Sequence, residues 1–138
     1  MRFILFILSF IQVANAAVLN ECVVLESGAT ITATSNSAIS NLAPGRLKQL
    51  RNFTGTLSAT NNSGTTPTMA VVIQTCESQD TATCYDTAIA FTSCTTGSCS
   101  ERIDLAENTN NVFSHFRVKH TLGGTSPNYT VTVRICHN

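Results

Sequence analysis

Ser114, His115 and Asp104 are the nearest this chain comes to a serine–histidine–carboxylate set, the arrangement that turns a hydroxyl into a nucleophile. His115 alternates with Arg117 and Lys119, which places it on the solvent side of a strand rather than in a cleft. No G-x-S-x-G turn, paired acids beside a histidine, or lone reactive cysteine accompanies it. A polar outer face explains these residues, and no catalytic residues are expected. A small secreted hydrolase or inhibitor is the least favoured class; for an inhibitor, the loop between Cys94 and Cys99 would be the bait.

Metal chemistry fares no better. The acids Glu77, Asp80, Asp86, Glu101, Asp104 and Glu107 are scattered, without the alternating acidic ligands of a calcium loop. Glu77 and Asp80 share one loop, but calcium needs more oxygens than that loop supplies. His115, His120 and His137 lack the spacing of a zinc site, and no C-x2-C pair is present. Neither metal nor cofactor is expected. The more telling set is cationic: His115, Arg117, Lys119 and Arg134. If the last two strands pair, these side chains project from one outer face and could hold an acidic glycan or a carboxylate-bearing partner. Ion pairs with Glu101 and Asp104 on a neighbouring strand would account for the same residues without a ligand. Arg46, Lys48 and Arg51 form a second, smaller basic group. Asn52-Phe53-Thr54, Asn61-Asn62-Ser63 and Asn128-Tyr129-Thr130 match the N-glycosylation acceptor pattern.

These residues take their meaning from the compartment. Arg2, the apolar run 3–11 and Ala14-Asn15-Ala16 have the order of a cleaved secretory signal, so residues 1–16 are expected to be removed and Ala17 to begin the mature protein. The apolar run is well short of the roughly 20 residues that span a bilayer, and no membrane anchor is expected. The mature chain, residues 17–138, is a single domain by length, roughly 120 residues. Its 8 basic and 8 acidic residues, less Arg2, leave a net charge of about −1, which disfavours nucleic acid as a partner. All 6 cysteines lie beyond the signal. In an oxidising compartment they form disulfides, with more connectivities open than sequence can choose between. Spacing favours Cys76 with Cys84 and Cys94 with Cys99 as hairpin staples, leaving Cys22 with Cys136 to tie the terminal strands.

The elements that must carry these residues are strands. Residues 53–60 alternate with Phe53, Leu57 and Ala59 on one face, and Asn61-Asn62-Ser63-Gly64 reads as a turn. Residues 69–76 follow, with Met69, Val71 and Ile73 on one face and Ala70, Val72 and Gln74 on the other. Both faces are fairly apolar, as in a central strand. Residues 85–94, 99–105 and 112–120 continue the series, and 129–135 closes it with Tyr129, Val131, Val133 and Ile135 inward. Residues 22–25 and 29–33 predict an opening hairpin around Glu26-Ser27-Gly28. The one helical candidate is 44–51, and no tandem repeat is visible. The expected fold is all-β: a single antiparallel β-sandwich, jelly-roll-like.

Three local patterns strengthen that expectation. Residues 53–60 run into Asn61-Asn62-Ser63-Gly64-Thr65-Thr66-Pro67-Thr68; Val72-Ile73-Gln74-Thr75 is followed by Tyr85-Asp86; and Phe116-Arg117-Val118 precedes Gly123-Gly124-Thr125-Ser126-Pro127-Asn128-Tyr129-Thr130. In these, the chain from Leu50 onward resembles small β-sandwich virion structural proteins of tailed bacteriophages, of which it would be an exported, cysteine-containing relative. The resemblance implies a structural or surface-attachment module rather than a catalyst. The expected function is therefore non-enzymatic binding or assembly, as a surface, fibre or attachment component, with a protein or glycan surface ligand and possible homo-oligomers. The alternative is a carbohydrate-binding module, against which stand the absence of Trp and the presence of only 2 Tyr for stacking on sugars.

Overall fold

Alternating apolar residues become 7 antiparallel strands in the computed structural model, which describes residues 21–41, 53–79, 83–95, 97–105 and 115–137. The strands are β1 (Glu21–Ile31), β2 (Ser35–Asn36), β3 (Ser40–Asn41), β4 (Phe53–Cys76), β5 (Cys84–Cys94), β6 (Ser98–Leu105) and β7 (His115–His137). No helix occurs among the described residues. The expected signal (residues 1–16) and the helical candidate 44–51, with Arg46, Lys48 and Arg51, lie outside them.

The sheet order is β1-β7-β4-β5, with β2 and β3 added to β7 and β6 added to β4. At 24 and 23 residues, β4 and β7 are several times the usual strand length. Each joins two segments that the sequence separates by a polar tract. The predicted turn at Asn61-Asn62-Ser63-Gly64 is not a chain reversal, because the tract lies beside the equally polar tract of β7. Asn61 pairs with Tyr129, Ser63 with Asn128, Thr65 with Thr125 and Thr68 with Gly123. Each tract supplies the backbone partners the other needs, so the ladder continues through both. The register shifts there are β-bulges, which bend a strand without ending it.

The two bends match. Gly64-Thr65-Thr66-Pro67 and Gly124-Thr125-Ser126-Pro127 cross with Thr65 opposite Thr125. Their backbones agree in kind: φ is +132° at Gly64 and +87° at Gly124, then +47° at Thr66 and +49° at Ser126. This local two-fold relation extends over the molecule. Residues 21–76 (β1 to β4) and 84–137 (β5 to β7) form two units in which β1 corresponds to β5, β2 and β3 to β6, and β4 to β7. Among the described residues, every strand pairing joins one unit to the other. The absence of a visible tandem repeat in the sequence thus conceals a structural one.

All 6 cysteines are bridged as the spacing favoured: Cys22–Cys136, Cys76–Cys84 and Cys94–Cys99, with no free thiol. The first two obey the two-fold relation. Each joins residues directly opposite on paired strands, with Cα–Cα distances of 4.0 and 4.1 Å. Cys94–Cys99 instead links β5 to β6 within the second unit.

Burial follows the alternation. Leu57, Ala59, Val131, Val133 and Ile135 from one half of the long strands, and Met69, Val71, Ile73, Phe116 and Val118 from the other, form one core with Ile89 and Phe91 of β5. The inner faces of the two halves touch. Phe53 meets Phe116 edge-on with ring centroids 6.0 Å apart, and Tyr129 Oη donates across to the Cys94 carbonyl at 3.1 Å. Burial pushes the Tyr129 phenol up from its ordinary pKa. Gly55 lies where any Cβ would run into Ile89, so glycine allows the close approach. The predicted opening hairpin is one strand instead: Glu26-Ser27-Gly28 is a bulge in β1, with register shifts on both sides of Glu26. Gly28 at φ +60° donates its N–H to Thr132 Oγ1 at 3.0 Å, which holds the bulge against β7.

Candidate functional site

The cationic set does not assemble as predicted. Its two parts were expected on separate paired strands, but residues 115–120 and 129–135 belong to one continuous strand, β7. His115, Arg117 and Lys119 lie on its first half, opposite Cys76, Gln74 and Val72 of β4. Arg134 lies on the second half, between Thr56 of β4 and Val24 of β1, and is exposed. The bend separates Arg134 from the others. Asp104 and Glu101 are likewise not the partners of Arg117 and Lys119. Asp104 accepts from Thr54 Oγ1 and from Arg102 Nε, while Glu101 accepts from the Thr92 N–H at 2.7 Å and its hydroxyl at 3.2 Å. The Thr54 hydroxyl, followed by Arg102, lowers the Asp104 pKa.

What forms instead is a hydrogen-bonded row across three strands. Arg117 Nε donates to Gln74 Oε1 at 2.6 Å, Gln74 Nε2 donates to Asp86 Oδ1 at 2.5 Å, and Lys119 Nζ approaches Asp86 Oδ2 at 3.3 Å. β4 supplies the central residue: Gln74 faces outward with Val72, directly opposite Arg117 on β7 and Asp86 on β5. Gln74 is 5% exposed and fixes the orientation of both neighbours, whereas Asp86 is exposed and Arg117 and Lys119 are half-buried. His115 sits half-buried on the same strand, opposite Cys76. Two cations against one carboxylate leave the row with a positive surplus, suited to an acidic group.

Sequence reasoning missed Gln74 and Asp86 as members of this row. The alternation had placed Gln74 on the outer face, but the β4–β5 register that brings Asp86 beside it is set by a bulge, which sequence does not announce. Hydrogen bonding from Gln74, opposed by partial desolvation and aided by Lys119 and the Arg117 charge, holds the Asp86 carboxyl below its ordinary value of 3.8. A depressed folded-state value adds stability that is present above the unfolded value and lost as pH falls through the folded one. Asp86→Asn is therefore expected to flatten the stability profile below about pH 3.8. Urea midpoints of the two proteins across the acid range test this, and superimposable acid limbs would contradict it.

A second polar pair is buried. His120, fully buried on the inner face of β7, has Nε2 2.8 Å from Glu26 Oε2 in the β1 bulge. Its Nδ1 has no hydrogen-bond partner. The alternation with Phe116 and Val118 could have placed His120 inward, but Glu26 falls within what reads as a turn. The pair ties edge strand β1 to the opposite half of the sheet, with the imidazole fully buried and the carboxylate side chain 8% exposed, which suits a structural tie. Glu26→Ala, which strands the imidazole, is expected to cost about 3 kcal/mol in urea unfolding, and Glu26→Gln less. Equal costs would contradict the pairing.

The other candidates resolve simply. Glu77 accepts from Tyr85 Oη at 3.0 Å, which raises the Tyr85 pKa. Asp80, Glu107, Ser114 and Asn52 lie outside the described residues. No group of three or more His, Cys, Asp or Glu that could hold a metal occurs among the described residues. Asn62 Nδ2 donates to Asn128 Oδ1 at 3.2 Å and to Thr130 Oγ1 at 2.8 Å, which ties together two of the acceptor sequences at the bends. No described helix is long and apolar enough to cross a membrane. Comparison with protein-family models, curated proteins and solved structures found no match to this chain.

Proposed function

We propose that this chain is an exported, non-enzymatic binding or assembly module, a disulfide-stapled β-sandwich of jelly-roll form that serves as a surface, fibre or attachment component. The observation that carries the reading is the use of the cysteines. All 6 are spent on bridges that fasten strand ends, a pattern of oxidising compartments and of scaffolds that work outside the cell. The contact surface is the Arg117–Gln74–Asp86–Lys119 row, whose side chains are pre-oriented by one another, so that less freedom is lost when a partner docks. The partner is an acidic protein or glycan surface.

A carbohydrate-binding role is the second reading, favoured by the planar polar groups of Arg117, Gln74 and Asp86 in the same row. Tyr129 is wholly buried, and Tyr85 is 49% exposed. Light scattering on the mature protein, together with an array of neutral and acidic glycans, tests both readings. A discrete oligomer, or an acidic-glycan signal that Arg117→Ala/Lys119→Ala reduces at least tenfold, supports the proposal. A strict monomer with no array signal overturns it.

A further inference from the structure

The two-fold arrangement bears on how copies of this chain meet. All described strand pairings join residues 21–76 to residues 84–137, and none lies within either unit. Cys22–Cys136 and Cys76–Cys84 each take one cysteine from each unit. Phe53 against Phe116, Glu26 against His120 and Gln74 against Arg117 also cross between units. A unit therefore has no sheet of its own and completes one only with a unit of the other kind. The backbone link between them is the short connection bracketed by Cys76 and Cys84, 8 positions apart.

We infer that two copies of this chain exchange units, the first unit of each pairing with the second unit of the other, to give a dimer locked by interchain Cys22–Cys136 and Cys76–Cys84 bridges. Exchange loses no strand pairing or core contact, since both bodies of the dimer repeat the same interfaces. The net charge of about −1 on the mature chain offers little repulsion between copies. The closed monomer is favoured by the effective concentration that the connection imposes, on the order of millimolar for a short link, and by the hydrogen bond from the Glu77 N–H to the Thr83 carbonyl within that connection. Crowding at a surface or within a fibre removes that advantage, and oxidation then traps whichever units have paired. Each bridge forms as two thiols pass two electrons and two protons to a disulfide oxidant, which leaves as two thiols. The inference deepens the assembly reading, on which it rests, by naming the assembly partner as a second copy of the chain, apart from any acidic surface met by the polar row.

Cys94–Cys99 supplies an internal control, because both cysteines lie in the second unit. An equal mixture of unlabelled and nitrogen-15-labelled mature chain, reduced and unfolded, is refolded with oxidised glutathione at about 1 µM to about 1 mM chain. The expected result is a covalent dimer, seen by mass without reduction, whose share rises at least tenfold across that range. Its Cys22–Cys136 and Cys76–Cys84 peptides should mix isotopes, while Cys94–Cys99 peptides carry one isotope only. Cys94→Ala/Cys99→Ala should give the same dimer, since exchange uses only the two bridges between units. Monomer alone at the highest concentration would overturn the inference, as would isotope mixing at Cys94–Cys99 as frequent as at the other bridges. A non-covalent oligomer by light scattering would refute exchange while leaving the assembly reading intact, so the two can fail separately.

Discussion

Replacing Cys22 and Cys136 together with alanine is expected to destabilise the protein by about 5 kcal/mol, because that bridge closes a loop of 114 residues. In a chain of this size such a loss lowers the melting temperature by on the order of 20 °C. The Cys76/Cys84 double replacement is the informative partner. Its bridge occupies the two-fold-equivalent site with nearly the same Cα–Cα distance, 4.1 against 4.0 Å, but closes a loop of only 8 residues. Chain entropy assigns it about 2.5 kcal/mol. Loss of the fully buried Cys76 sulfur adds roughly 1 kcal/mol of packing, which narrows the gap without reversing it. The pair thus separates loop length from local geometry better than two unrelated bridges could. Calorimetry of both double mutants decides the matter: equal losses, or a larger one at Cys76/Cys84, would show that native-state contacts rather than the restricted unfolded chain set the contribution.

Gly124→Ala is the second large effect, expected to cost at least about 3 kcal/mol. Two penalties coincide. At φ +87° an L side chain is strained, which costs roughly 1–2 kcal/mol alone. A Cβ would also meet the backbone of the opposite bend at Thr65 and Thr66, and backbone cannot swing aside as a side-chain tip can. Gly28→Ala is the matched control: its φ of +60° carries the strain, but a Cβ there meets nothing within 4 Å, so its cost should stay near 1 kcal/mol. Chemical unfolding of the two variants should therefore differ by at least about 2 kcal/mol. If Gly124→Ala were no worse than Gly28→Ala, the tight crossing of the two bends would be wrong.

That crossing also marks where sequence reading stops. The strands were legible because the core is built on strict alternation, as Tyr129, Val131, Val133 and Ile135 illustrate. The cysteine pairing was legible because each favoured pair brackets a short polar segment or the chain ends. Continuity through the bends was not. Asn61-Asn62-Ser63-Gly64 reads as a turn by itself, and only its pairing with the tract around Gly123-Gly124 turns a reversal into a bend. The cationic set parts for the same reason: Arg117 and Arg134 each sit on the outward phase of their own segment, but the two segments are halves of one strand, β7, that bends between them. Asp86 joined the site through a register shift between Val72 and Gln74, a feature of the β4–β5 ladder that no single strand's pattern carries.

The two-fold relation links scaffold and site. It places one inter-unit bridge at each end of the pairing, so both junctions are covalently closed, and the polar row occupies the outer face of one half only. The counterpart of Gln74 in the second unit is Arg134, flanked by Thr56 and Val24 rather than by charged groups.

The measurement that tests this account most directly is the native mass of the secreted mature protein, with intact mass, thiol counting and disulfide mapping on the same sample. The account predicts a chain beginning at Ala17, no free thiols, bridges at Cys22–Cys136, Cys76–Cys84 and Cys94–Cys99, and a discrete oligomer. Free thiols or other pairings would contradict the stapled framework, retention of residues 1–16 would contradict export by a cleaved signal, and a strict monomer would contradict assembly.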